Sequence, residues 1–135
     1  MTFRHCSSQY DKYFCQNNDL SLVGGLVASV IEELPAVQVD KVMLELVLTE
    51  ALNNAVIHGN GANADKKVAL GYRVRGDVLL VSVLDEGVCL SEEMIAAAEM
   101  PHVTAESGRG IALIRSIAPD VYVEDGILNI PFSLR

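Results

Sequence analysis

The segment Lys41 to His58, KVMLELVLTEALNNAVIH, constrains the fold more than any other part of the chain. Asp40 in front of it is a helix N-cap, because its short carboxylate can take the first-turn N–H groups that a helix leaves unpaired. Gly59 and the GNGAN loop end the helix. Val42, Leu44, Val47, Leu48, Ala51, Leu52, Ala55 and Val56 make one broad apolar face, with Leu46 and Ile57 on the other. A helix apolar on both sides is expected to be largely buried. Glu50 and Asn54 are set inside that run, four residues apart, which stacks them about 5–6 Å apart at Cβ.

A carboxylate in such surroundings is costly unless it is paired or employed. Glutamate can take a proton or orient a nucleophile. An asparagine amide oxygen is a hard, neutral ligand for Mg²⁺. Taken alone, the helix also fits a buried Glu–Asn hydrogen bond, or a solvated stripe shared with Thr49 and Asn53. His58 reads as a residue favoured by the helix C-terminal dipole rather than as a ligand or base.

The remaining pattern surrounds this helix with antiparallel strands. The first 18 residues are polar with scattered aromatics and leave room for a short strand or two. Asp19 caps a helix marked by Leu20, Val23, Leu26, Val27, Val30, Ile31 and Leu34, which Pro35 stops. Lys67–Val74 and Val78–Leu84 flank Arg75-Gly76-Asp77 and predict a hairpin. Ser91 caps a short helix, Glu92 to Glu99, closed by Pro101. After the loop His102 to Ser107, Gly108-Arg109-Gly110 precedes a helix, Ile111 to Ala118. Val121–Glu124 and Ile127–Phe132, joined by Asp125-Gly126, predict a second hairpin. The order is that of an α+β fold: a two-layer α/β sandwich with helices on one face, in a single domain spanning 1–135. A doubly wound parallel sheet would need strands alternating one by one with helices.

Two glycine motifs lie downstream of the long helix. Asp85-Glu86-Gly87 ends a buried strand; its carboxylate is a good acceptor for an amino group such as adenine's, and Gly87 lets a flat ring approach the backbone. An ordinary turn explains the same residues. Ser107-Gly108-Arg109-Gly110 before a helix exposes N–H groups suited to phosphate, or is simply a capped flexible loop. Gly59-Asn60-Gly61-Ala62-Asn63-Ala64 imitates a dinucleotide fingerprint but follows a helix and opens none. There is no P-loop and no hydrolase nucleophile elbow.

Composition narrows the function classes. A net charge of −8 disfavours nonspecific nucleic-acid binding, which needs surplus Lys and Arg. No apolar run is long enough for a membrane span, and the first residues lack a signal-peptide core. Three cysteines, Cys6, Cys15 and Cys89, without a C-x-x-C pair suit a reducing cytoplasm, and a structural zinc would have to draw four ligands from these and the widely spaced His5, His58 and His102, which disfavours it.

E-x-x-x-N on a helix, then D-x-G after a strand, then G-x-G before a helix, resembles the GHKL ATPase superfamily of gyrase, heat-shock chaperone, histidine-kinase and mismatch-repair ATPases. TEALNNAVIHGN, LDEGVCL and SGRGIALIRSIAPDV look closest to the anti-sigma-factor serine kinases, over about Leu20 to Ile130. That resemblance implies a histidine-kinase-like (Bergerat) sandwich with a mixed, mostly antiparallel sheet. It implies ATP and Mg²⁺ as cofactors. Glu50 would be the general base, Asn54 the Mg²⁺ ligand and Asp85 the adenine acceptor, with Gly87 admitting the base. Gly108 and Gly110 would shape the loop over the phosphates, and Arg109 either reaches a phosphate or forms a surface ion pair. The implied partners are a sigma factor and an anti-anti-sigma antagonist, the implied assembly a homodimer. The chain departs from the family at Cys89, where a second glycine is frequent, in its short lid between Leu90 and Gly108, and in its poorly matched N-terminal stretch. The competing readings are a non-catalytic nucleotide-dependent interaction module and a stand-alone ATPase domain of the same fold.

Overall fold

The structure, a computed structural model, describes residues 9–34, 39–86, 106–125 and 127–134. Its strands are β1 (Lys12–Asn17), β2 (Lys67–Arg75), β3 (Val78–Asp85), β4 (Tyr122–Glu124) and β5 (Ile127–Ser133). Its helices are α1 (Val23–Glu33), α2 (Lys41–Asn54) and α3 (Glu106–Ile117). The strands form one sheet in the order β1-β2-β3-β5-β4. Each pairing among the described residues is antiparallel. The α+β sandwich is therefore as expected, and the described sheet is wholly antiparallel rather than mixed. The short helix Glu92–Glu99 and its flanks Ser91 and Pro101 lie outside the described residues, as do Cys6, Cys89 and Pro35.

Turn chemistry sets the hairpins. Arg75 pairs with Val78 across Gly76, whose φ of +58° is a left-handed conformation that glycine adopts without a Cβ penalty. Asp125 has φ +54° in the second hairpin, where an Asp-Gly step is the usual signal. Side-chain alternation then sorts the faces. Leu70 stands opposite Val83, Tyr72 opposite Val81 and Val74 opposite Leu79, and β5 continues these rows with Leu128, Ile130 and Phe132. This face meets Val23, Val27 and Val30 of α1, Leu44, Leu48 and Leu52 of α2, and Ile111 and Ile114 of α3 in one core. Among the described residues, no helix is long and apolar enough to cross a membrane.

The helix boundaries follow their caps. Asp19 caps a 3-10 turn, Leu20–Leu22, that leads into α1. The hydrogen bonds to the Asp19 carboxylate from the Ser21 N–H (2.9 Å) and Oγ (2.8 Å) hold that carboxyl below its ordinary range. α1 ends where Leu34, the residue before a proline, turns extended at ψ 137°. The Asp40 carboxylate accepts from the N–H groups of Val42 (3.0 Å) and Met43 (3.1 Å) and starts α2. Asp40→Ala is expected to cost about 1 kcal/mol of stability, seen as a lower urea midpoint at unchanged slope; an unmoved midpoint would show that the cap contributes nothing.

Two expectations about the long helix need correction. Val42, assigned above to the buried face, is 74% exposed, and Met43 and Leu46 are exposed with it. In a two-layer fold a helix packs on one side, so its outer stripe meets water however apolar it is. The α-helix also stops at Asn54 rather than His58. Ala55–Gly59 is a π turn, closed by the Asn60 N–H donating to the Ala55 carbonyl at 2.8 Å. Such wide turns are frequent at functional sites.

Candidate functional site

The second half of α2 brings most of the expected residues together. Asn54 is buried at 7% exposure, and its Oδ1 has no hydrogen-bond partner among the described residues. A buried amide oxygen left without a partner costs roughly 1–3 kcal/mol, so a partner beyond the described residues would stabilise it. An unpaired, hard, neutral oxygen fits Mg²⁺. Glu50 lies one turn earlier and is half-buried. A Cβ built on Gly110 would stand 3.2 Å from Glu50 Oε2, so the carboxylate lies close against the backbone of α3. Gly110 thus gives Glu50 the room that a side chain would take.

Asp85 ends β3 in the row of Val68, on the helix-covered face. It reaches the π turn: a Cβ on Gly59 would fall 2.3 Å from Asp85 Oδ2. Asp85 is half-buried. The carboxylate therefore comes to the C-terminal end of the same helical segment that carries Glu50 and Asn54. That convergence joins residues from α2, β3 and α3 that are far apart in sequence.

The Ser107-Gly108-Arg109-Gly110 motif is placed differently from the expectation. α3 begins at Glu106, so Gly108 and Gly110 are its third and fifth residues rather than a loop before it. Glycine's poor helix propensity pointed to a start at Ile111. Packing overrides it: Ile111, Ala112 and Ile114 are buried in the core, and Gly110 faces Glu50. The unpaired N–H groups of a helix start then belong to the motif itself. Of Gly108 and Arg109 only the helical backbone is described. Gly87 and the lid between Leu90 and Gly108 lie outside the described residues, apart from the start of α3.

Residues that sequence reasoning passed over complete the site. Asn60 is buried at 1% exposure and donates to Asn18 Oδ1 and to the Lys67 carbonyl, both at 2.8 Å. Its Oδ1 accepts from the Glu86 N–H at 2.7 Å. Asn18 donates to the carbonyls of Val56 (3.2 Å) and Asn63 (3.1 Å). The Lys67 N–H donates to Glu86 Oε2 at 2.5 Å. Gly59 and Asn60 were read above as helix-ending loop, and no short-range pattern marks their contacts with Asp85 and Glu86.

The family model for the histidine kinase-like ATPase domain matches residues 17–130. Curated relatives include proteins called anti-sigma F factor. That of Bacillus velezensis is 28% identical over 103 residues, 73% of this chain and 69% of the relative. That of Bacillus subtilis is 27% identical over 103 residues with the same coverage. That of Priestia megaterium is 28% identical over 109 residues, 76% of this chain and 73% of the relative. The matched span holds every element that carries the site, from Asn18 to α3, and the chain belongs to the histidine kinase-like ATPase domain family.

Proposed function

We propose that this chain is an ATP-dependent protein serine/threonine kinase of the anti-sigma type. It phosphorylates an anti-anti-sigma antagonist and, when not so engaged, sequesters a sigma factor. The observation that carries the reading is the buried Asn54 Oδ1, without a partner among the described residues, one helical turn from Glu50, whose carboxylate lies against α3. The curated relatives named anti-sigma F factor support the anti-sigma assignment.

In this reading Asn54 holds Mg²⁺, which neutralises charge on the β- and γ-phosphates when bound. Glu50 takes the proton of the attacking hydroxyl as the serine oxygen bonds to the γ-phosphorus. The bond from that phosphorus to the bridging oxygen breaks, and ADP leaves. Asp85 accepts from the adenine amino group, and Gly87 admits the ring. Gly108, Arg109 and Gly110 serve the phosphates from the start of α3, where N–H groups and the helix dipole favour anions. Catalysis by such a site is mainly positioning and electrostatics. The reading also includes a cytoplasmic homodimer.

Incubating the chain with γ-labelled Mg-ATP and a candidate antagonist domain tests this. Label on a serine of the antagonist is the expected result. ADP release without labelled protein would instead assign a stand-alone ATPase domain. Neither product would leave a nucleotide-dependent binding module and overturn the kinase reading.

A further inference from the structure

Two adjacent residues of the π turn and its exit, Gly59 and Asn60, meet two adjacent residues at the end of β3, Asp85 and Glu86. Gly59 is in contact with the Asp85 carboxylate. Its backbone is not in the left-handed region, so what glycine provides there is space: a Cβ would force the Asp85 carboxylate to move. The next residue, Asn60, accepts from the Glu86 N–H, the peptide that follows Asp85. The same amide donates both its hydrogens, to Asn18 Oδ1 and the Lys67 carbonyl. This pattern determines which end of the amide is oxygen, because the Glu86 N–H needs an acceptor and the Lys67 carbonyl needs a donor. Lys67 is itself tied to Glu86 through its own N–H. The end of β3 is therefore clamped on both sides of the Asp85 Cα: by the strand pairing of Asp85 with Val68, and by the Asn60 and Lys67 bonds to Glu86.

We propose that Gly59 and Asn60 form a seat that fixes the Asp85 carboxylate for selecting a purine with a 6-amino group, making them positioning residues for base specificity. The inference rests on the nucleotide reading above and deepens it. A carboxylate selects an amino group over a carbonyl only if it is held still, because a mobile one can retreat from the carbonyl oxygen and admit it. Hydrogen bonding of a charged acceptor to a substrate N–H then separates the two bases by roughly tenfold or more in affinity.

The test compares calorimetric affinities for Mg-ATP and Mg-ITP, which differ at the 6-position of the base. The unmodified chain is expected to bind ATP roughly tenfold or more tightly than ITP. In Asn60→Ala the freed carboxylate should lose its hold on the 6-amino group and admit the 6-carbonyl, so that ATP affinity falls, ITP affinity rises and their ratio collapses toward one. Gly59→Ala keeps the amide network but fills the space beside Asp85, and should collapse the ratio in the same way. It decides the matter if Asn60→Ala does not fold. Folded variants that keep the parent ratio, or that weaken both nucleotides equally, would overturn the seat and leave the nucleotide reading standing. Equal ATP and ITP affinities in the unmodified chain would instead remove Asp85 as the base reader, before any variant is made.

Discussion

Asn54→Ala will abolish calorimetrically detectable Mg-ATP binding while leaving the fold in place. The amide oxygen is buried and has no partner among the described residues, so its removal breaks no described hydrogen bond. Its loss would delete a hard oxygen ligand for the Mg²⁺ that accompanies the nucleotide. Groups that merely orient a metal's ligands are worth about ten- to hundredfold, so a direct ligand is expected to cost roughly a hundredfold or more. The metal dependence separates this from general damage. With Mg²⁺ removed by chelator, variant and parent should bind ATP equally weakly. An unchanged Mg-ATP affinity in the variant would eliminate Asn54 as the ligand, and an equal loss in the presence and absence of metal would assign it to the shape of the pocket.

The sheet was readable because its signals are local. Alternation in Lys67–Val74 and Val78–Leu84, with Gly76 between them, specifies a hairpin within a few residues, and the Asp125-Gly126 step does the same. The Asp40 cap is equally local. Glu50 and Asn54 were legible because polar residues inside an apolar helix stand out against their neighbours. What the sequence hid depends on distant partners. Asn60 acts on Glu86, 26 residues away, and on Asn18, 42 residues away, so GNGAN read only as a helix stop. The π turn that those bonds accompany has no signature of its own. Glycine propensity put the start of α3 five residues late, because the cost of Gly108 and Gly110 in a helix is visible locally and the Glu50 carboxylate beside Gly110 is not. Periodicity likewise shows that Val42 and Leu46 are apolar but not that the sheet lies on the other side of the helix.

Glu50→Ala is expected to keep Mg-ATP affinity within a few-fold of the parent and to lose phosphoryl transfer. The two residues of α2 are thereby assigned different work. The Glu50 side chain is half-buried and lies against α3 at Gly110, so truncating it opens space at the helix contact and leaves the Asn54 and Asp85 side chains in the sequence. A positioned general base contributes about 10²–10⁴-fold, which is the expected fall in the turnover rate. Glu50→Gln sharpens the comparison, because it preserves shape and hydrogen-bonding reach but cannot take the serine proton at neutral pH. If the glutamine variant is as inactive as the alanine variant while both bind Mg-ATP, the missing element is proton acceptance. If glutamine restores transfer, the side chain orients the hydroxyl and the proton leaves by another route. Full turnover by the alanine variant would remove Glu50 from the chemistry altogether, and the kinase reading would then need a different base near Asn54.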